Sequence, residues 1–273
     1  MEKVIFITGA TSGLGLALAK YLALKQNDIR LILHGKCAKK AKQITHEVLS
    51  INNQIELEYF NADLTDLKQV VSMCHKIKTK YDKIDLLINN AGVAKSDSFQ
   101  LTKDGFEKIA QVNFISHFLA TNILIDVVNN SVDGKIIFVS SSAYGNQYHN
   151  TFNCYQTWSE IEAYKLSKFA VNCFMYNLSK KEYYPNVSSV AIHPASRMKT
   201  GLVDLDSYQD SIEIGVQNIF DLIEKPSILL NGKYFYKNTI LKLNDKCEAI
   251  QEWRQITSQI FTSNLITSNS KPL

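Results

Sequence analysis

The chain has 273 residues, 45% hydrophobic and only 21% charged, which is enough apolar material to bury one large core or two small ones, as an ordinary soluble globular protein does. Its formal net charge is +4, its sequence pI is about 8.6, and its basic residues are scattered among the acidic ones, which excludes the massed charge that nucleic acid or a membrane surface would require. Five cysteines (Cys37, Cys74, Cys154, Cys173 and Cys247) are odd in number and contain no CxxC pair, so they read as reduced cytosolic thiols with neither a disulfide framework nor a metal site.

The chain opens almost at once on an apolar run. With no basic leader and nowhere eighteen uninterrupted apolar residues, the expected location is cytoplasmic, without a membrane anchor. In chain order the predicted strands are VIFIT (4–8), IRLILH (29–34), IELEYF (55–60), IDLLIN (84–89), KIIFVS (135–140), VSSVAIH (187–193) and KYFYK (233–237). Each is apolar throughout, as strands covered on both faces must be. Between them lie patterns suited to helices over 13–26, 38–50, 66–80, 104–129 and 159–183. This alternation predicts an α/β fold: βαβ crossovers building a Rossmann-type, doubly wound parallel sheet of about seven strands with helices on both faces. No linker or repeat divides the chain, so residues 1–261 are expected to form a single domain, followed by a polar, frayed tail over 262–273.

Directly behind the first strand stands TGATSGLG, Thr8 to Gly15. Such a strand must turn sharply into a helix whose first N–H groups make an anion site, and glycines let a pyrophosphate approach the backbone. Gly9 makes the turn, Gly13 allows the close approach and Gly15 lets the helix pack on the sheet. A glycine triplet alone also fits a plain tight turn; its place after the first strand favours a nucleotide site.

This GxxxGxG spacing resembles the opening of the short-chain dehydrogenase/reductase family, and further segments carry the resemblance along the chain. NNAG at 89–92 follows the fourth strand, VNFISHF at 112–118 resembles the helix segment with a catalytic Asn, GKIIFVSS at 134–141 the strand ending in a catalytic Ser, and AYKLSKFAV at 163–171 the YxxxK helix. The resemblance implies four catalytic positions, Asn113, Ser141, Tyr164 and Lys168, with Asn113 holding a water in a proton relay. It also implies cofactor contacts from Gly9, Thr11, Ser12, Gly13, Leu14, Gly15, Asp63, Leu64, Asn89, Ala91, Gly92, Pro194, Tyr164 and Lys168, with Thr8 supporting the turn.

The chemistry is consistent with these residue types. Tyr164 and Lys168, four apart, share a helix face, where an ammonium would lower the phenol pKa and ready it for proton transfer near neutral pH. Ser141, at a strand's C-terminal end, would hydrogen-bond the substrate oxygen as charge develops. The pattern YxxSK recurs at Tyr176, but twelve residues on is about 18 Å along a helix, towards the opposite edge of the sheet. Tyr164 is therefore the catalytic candidate and Tyr176 structural. Ser142 is the nearest competitor of Ser141.

For cofactor choice, Asp28 precedes the second strand and is misplaced for a ribose contact. The strand's end, His34-Gly35-Lys36, holds no carboxylate, and Lys36 would neutralise a 2′-phosphate, which favours NADP(H) over NAD(H). Tyr164 lies 23 positions after Ser141, an insert like that of the retinol-dehydrogenase-like and protochlorophyllide-reductase-like members. Substrate loops are expected at about 142–162 and 194–210, the first carrying Tyr144, Tyr148, Phe152, Tyr155 and Trp158 as an apolar wall or as anchors on the body. The segment HPASRMKTG at 193–201 departs from the family's Pro-Gly: Ala195 replaces the glycine and Thr200 falls one place late, which puts the nicotinamide geometry in question. His193 at a buried strand end reads as structural.

The expected function is transfer of hydride between a nicotinamide and a carbonyl or alcohol carbon of a small apolar molecule. A non-catalytic NADP(H)-binding sensor and a sugar-nucleotide epimerase or dehydratase are the alternatives, the last disfavoured by chain length and glycine spacing. The long fourth and fifth helices resemble those that pair subunits in this family, implying a homodimer or homotetramer.

Overall fold

Strands that are apolar on both faces need helices on both sides, and the computed structural model, which describes residues 2–144, 158–200 and 209–261, shows that arrangement. Among the described residues one sheet has eight strands: β1 (Lys3–Ile7), β2 (Ile29–Gly35), β3 (Glu56–Asn61), β4 (Leu86–Asn89), β5 (Gly134–Val139), β6 (Val187–His193), β7 (Lys233–Tyr236) and β8 (Thr239–Leu241). Their spatial order is β3-β2-β1-β4-β5-β6-β7-β8. The pairings from β3 through β7 are all parallel, with Ile5 opposite Leu86 and Phe138 opposite Ala191. The order reverses between β1 and β4, which opens a crevice beyond the C-terminal ends of those strands.

The helices are α1 (Gly13–Lys25), α2 (Ala41–Leu49), α3 (Leu67–Lys80), α4 (Lys108–Asn129), α5 (Glu160–Leu178), α6 (Ile212–Glu224), α7 (Asp245–Glu248) and α8 (Ile250–Phe261). Strand alternation divides the core into two layers. On β1, Val4 and Phe6 pack with Val70, Phe114 and Phe118 of α3 and α4, while Ile5 and Ile7 pack with Leu18, Leu22, Ile219 and Leu222 of α1 and α6. Within α4 the segment Gln111–Ile115 is a π turn, in which the Ser116 N–H donates to the Gln111 carbonyl. Among the described residues α4 is the one helix long and apolar enough to cross a membrane by length and composition, and 83% of that stretch is buried inside the protein.

Four elements, β8, α6, α7 and α8, go beyond the expected set. β8 is antiparallel to β7 and joined to it by a turn in which Lys237 adopts φ +53°; its three exposed residues leave no apolar pattern to read. Helix α6 has the apolar spacing Ile212, Val216, Ile219, Ile223, but Gly215 interrupts it. An added Cβ there would lie 2.6 Å from Met198 Sδ, so a side chain at this position would have to displace the Met198 thioether. Helices α7 and α8 follow β8, past the last predicted helix. Helix α5 stops at Leu178 rather than 183, where the Ser179 hydroxyl donates to the Tyr176 carbonyl and Asn231 Nδ2 donates to the Ser179 carbonyl.

Candidate active site

The crevice is a cavity of about 780 Å³, and its floor is the glycine-rich turn. Gly9 and Gly13 have φ of +66° and +54°, which glycine adopts without steric cost. Space is equally restrictive. A Cβ on Gly9 would lie 2.8 Å from Ala91 Cα, and one on Gly15 would lie 2.4 Å from the Gly9 carbonyl oxygen and 2.5 Å from Asn90 Nδ2. Ser12 caps α1 by backbone conformation alone, with no side-chain hydrogen bond to the first N–H groups, whereas Asp66, Ser159 and Ser211 close α3, α5 and α6 with theirs. The open N–H groups of α1 therefore face the cavity beside Thr11, Ser12, Gly13 and Leu14.

Thr8 knots the turn to β4: its Oγ1 accepts the N–H groups of Asn90 (2.9 Å) and Ala91 (3.0 Å). Here the expectation for Asn89 fails. Asn89 ends β4 facing the α4 side, donates from Nδ2 to Thr121 Oγ1 at 3.0 Å and does not line the cavity. Asn90, one residue on, does, and its Nδ2 donates to the Thr8 carbonyl at 2.8 Å. Successive residues of an extended chain point to opposite faces, so the second Asn of NNAG reaches the crevice and the first cannot.

At the adenosine end, His34, Gly35, Lys36, Asp63 and Leu64 line the same cavity. His34 Nε2 faces the Ala62 carbonyl at 3.0 Å and must donate, leaving Nδ1 to accept the Gly9 N–H at 3.2 Å; burial lowers its pKa and keeps the ring neutral. Lys36 is 76% exposed with its ammonium 3.5 Å from Asp63 Oδ2, and Asp63 also accepts from the Thr65 N–H (2.9 Å) and hydroxyl (2.8 Å). Asp28 lies at the other end of the sheet, its carbonyl taking the Lys3 N–H at 3.0 Å.

The four candidate catalytic residues converge on the opposite end. Ser141, just past β5, accepts the Ala143 N–H at 3.1 Å, and its side chain favours the ionised form of the Tyr164 phenol. Its neighbours Ser140 and Ser142 line the same cavity, Ser142 exposed and Ser140 buried with no partner for its hydroxyl among the described residues. Lys168 is buried, donates to the Val139 carbonyl at 2.9 Å, and has its pKa lowered to about 8 by burial. Its ammonium lies over the Tyr164 ring, 5.7 Å from the centroid. The expected lowering of the phenol pKa is accordingly reversed: burial raises it, and the nearby Ser141 side chain offsets only part of that rise.

Asn113 lies in the π turn, with its side chain fully engaged. Oδ1 accepts the Val93 N–H at 2.8 Å, while Nδ2 donates to the Val93 carbonyl (2.9 Å) and to Ser167 Oγ (3.0 Å). Gly92 stands between Asn113 and Lys168, its Cβ position 3.4 Å from Asn113 Oδ1 and 3.8 Å from Lys168 Nζ.

The Pro194–Thr200 loop closes the cavity's other wall. Despite its shifted position, Thr200 stands over the glycine-rich turn, its Cβ 3.2 Å from where Gly13 would carry one. Ala195 is buried, and the Pro194 carbonyl is fixed by Asn218 Nδ2 at 2.7 Å. His193 lines the cavity as well: Nε2 meets Ser196 Oγ at 3.0 Å, its ring stacks on Tyr236 with centroids 5.0 Å apart, and burial pushes its pKa down to about 4. Tyr176 lies under Lys180, 4.7 Å from ring centroid to ammonium, and takes no part in the cavity. Of the insert's aromatics, Tyr144 packs on Tyr234 (5.3 Å) and Trp158 donates to Glu107 Oε1 (3.3 Å), so both anchor the loop; Tyr148, Phe152 and Tyr155 lie outside the described residues, as do most of the two expected substrate loops and the tail over 262–273.

A glycine-rich helix entrance at a topological switch point, facing a Ser–Tyr–Lys group across one cavity, defines a Rossmann-type nucleotide-binding protein. The chain belongs to the short chain dehydrogenase family, whose model matches residues 3–206. It is similar to human retinol dehydrogenase 13, with 35% identity over 70% of this chain and 58% of that protein. A chloroplastic short-chain dehydrogenase, TIC 32 A of Brassica napus, is 32% identical over 69% of this chain and 62% of its own length. The matched segment thus spans less than two thirds of these relatives. Among solved structures, the fold is shared with salutaridine reductase from Papaver somniferum (TM-score 0.71, 19% identity, 86% of this chain and 99% of that one). It is also shared with NADPH-bound carbonyl reductase from chicken fatty liver (TM-score 0.70, 19% identity, 89% and 99%). The retinol-dehydrogenase side of the expected resemblance is borne out.

Proposed function

We propose that the protein is an NADP(H)-dependent oxidoreductase that interconverts a carbonyl and an alcohol on a small, predominantly apolar molecule. The observation that carries this reading is the meeting of Ser141, Tyr164 and buried Lys168 in the same cavity as the glycine-rich turn. The residues present fit a nicotinamide dinucleotide: the open start of α1 receives the pyrophosphate, Asp63 and Leu64 flank the adenine side, and Ala91, Gly92 and Pro194 border the rest of the groove. Lys36 at the end of β2, with no carboxylate in its place, supports NADP(H). Relatives named for retinol and polyprenol, both apolar alcohols, support the substrate class.

When bound, the cofactor supplies or accepts the hydride. The Ser141 hydroxyl holds the substrate oxygen. The Tyr164 phenol, kept protonated by its raised pKa, donates its proton to that oxygen in the reducing direction. Lys168 Nζ, with its pKa lowered to about 8, restores the proton near neutral pH, and Asn113 fixes the Val93 segment that borders it. The test is NADPH oxidation against a panel of apolar ketones, aldehydes and quinones. Tyr164→Phe should lose turnover by about 10²- to 10⁴-fold while binding NADPH as the wild type does, and unchanged turnover in that variant would overturn the assignment.

A further inference from the structure

His117, buried on α4 one turn after Asn113, joins two parts of the site that sequence keeps far apart. Its Nδ1 lies 3.1 Å from the Asn113 carbonyl oxygen and its Nε2 lies 3.0 Å from Thr8 Oγ1. A carbonyl only accepts, so Nδ1 carries the proton and Nε2 presents its lone pair. Thr8 Oγ1 already accepts the N–H groups of Asn90 and Ala91, so its own proton goes to Nε2; the other acceptor in reach, the Ile88 carbonyl, is farther away at 3.3 Å. Each link in the chain therefore has one direction, from the amides after β4, through the Thr8 hydroxyl and the imidazole, to the Asn113 carbonyl.

The ring is held neutral. Burial pushes its pKa down to about 3, the charged or titratable groups Lys168 of α5 and His34 of β2 push the same way, and only the bond to the Asn113 carbonyl opposes them. The Asn113 carbonyl belongs to the π turn, where backbone bonding is offset by one residue, and the imidazole N–H fixes its direction from outside the ladder.

We propose that His117 is a positioning residue, a single-tautomer bridge that sets the glycine-rich turn and the Asn113 carbonyl in one hydrogen-bonded frame. This rests on the oxidoreductase reading. Its two halves are separable. His117→Asn keeps a donor at the Nδ1 position and loses the acceptor for Thr8; His117→Gln keeps an acceptor at the Nε2 position and loses the donor to Asn113.

The experiment measures NADPH affinity by fluorescence, kcat and KM with a carbonyl the wild type reduces, the pH profile of kcat, and Tm for the full chain and both variants. His117→Asn should weaken NADPH binding by about 3- to 10-fold with kcat and its pH profile retained. His117→Gln should retain NADPH affinity, lose about 10- to 100-fold in kcat and shift the pH profile. Variants that change only Tm, with affinity, kcat and pH profile as in the wild type, overturn the proposal. Should the His117 variants fail to fold, Thr8→Val against Thr8→Ser repeats the affinity arm. Weaker NADPH binding in Thr8→Val alone supports the bridge, and equal binding in the two overturns it. If the wild type turns over nothing, the oxidoreductase reading fails on its own, and NADPH affinity still decides the Thr8 half of the bridge.

Discussion

Gly15→Ala isolates the physical requirement of the glycine-rich turn. Gly15 is an ordinary helical residue without positive φ, so an added methyl group costs nothing in backbone conformation. The whole effect is space: the Cβ would stand 2.4 Å from the Gly9 carbonyl oxygen and 2.5 Å from Asn90 Nδ2, against an ordinary contact of about 3.5 Å. Relief requires the start of α1 to move about 1 Å away from the turn, because the nearest obstruction is backbone. Such overpacking costs about 1–3 kcal/mol, equivalent to a Tm loss of roughly 2–12 °C in a chain of this size. The same shift turns the α1 N–H groups off the pyrophosphate, so NADPH affinity should fall by at least tenfold. Gly105→Ala is the control. Its φ of +83° gives strain of about 1 kcal/mol, but no atom lies within 4 Å of the added Cβ and the residue is outside the cavity, so NADPH affinity should be unchanged. Fluorescence titration and thermal unfolding of both variants decide the matter. NADPH binding by Gly15→Ala equal to the wild type would refute the reasoning.

Lys36→Ala should weaken NADPH binding roughly tenfold, the loss of one charge-assisted hydrogen bond, and leave NADH binding unchanged; paired titrations check this. His193 supplies a pH test. Its folded pKa of about 4 lies below the unfolded value of 6.5, so below pH 6.5 the unfolded state takes up the proton first, and stability is full above pH 6.5 and falls towards pH 4. Between pH 6.5 and 5 this amounts to about 2 kcal/mol, so urea unfolding of His193→Gln should show a shallower acid loss than the wild type by about that amount. The raised pKa of Tyr164 and the lowered pKa of Lys168 should place the upper limb of the kcat profile near pH 8, and Lys168→Arg should move it upward.

Much of this site was legible in sequence because its requirements are local. Gly9, Gly13 and Gly15 answer a turn of a few residues, and the four-residue step from Tyr164 to Lys168 fixes a shared helix face. The contents of HGK at the end of β2 were equally readable. What was missed depended on register or on distant contacts. Asn89 and Asn90 differ by one place, and only the end of β4 tells which one faces the crevice. His117 acquires its partner Thr8 from 109 residues away, with no periodicity to announce it. The Tyr164 pKa was misjudged because sharing a helix face does not place an ammonium at the phenol oxygen, and burial of the ring outweighed it. Helix α6 was concealed by Gly215, which packs beside the Met198 side chain inside a continuous helix and does not break it.

The most direct test of the central claim is reduction of an active carbonyl with NADPH deuterated at the transferable position of the nicotinamide, followed by mass spectrometry of the alcohol. The account expects one deuterium on the former carbonyl carbon, and none in product from Tyr164→Phe beyond its residual turnover. An alcohol free of deuterium, or no oxidation of bound NADPH by any carbonyl tried, would contradict it.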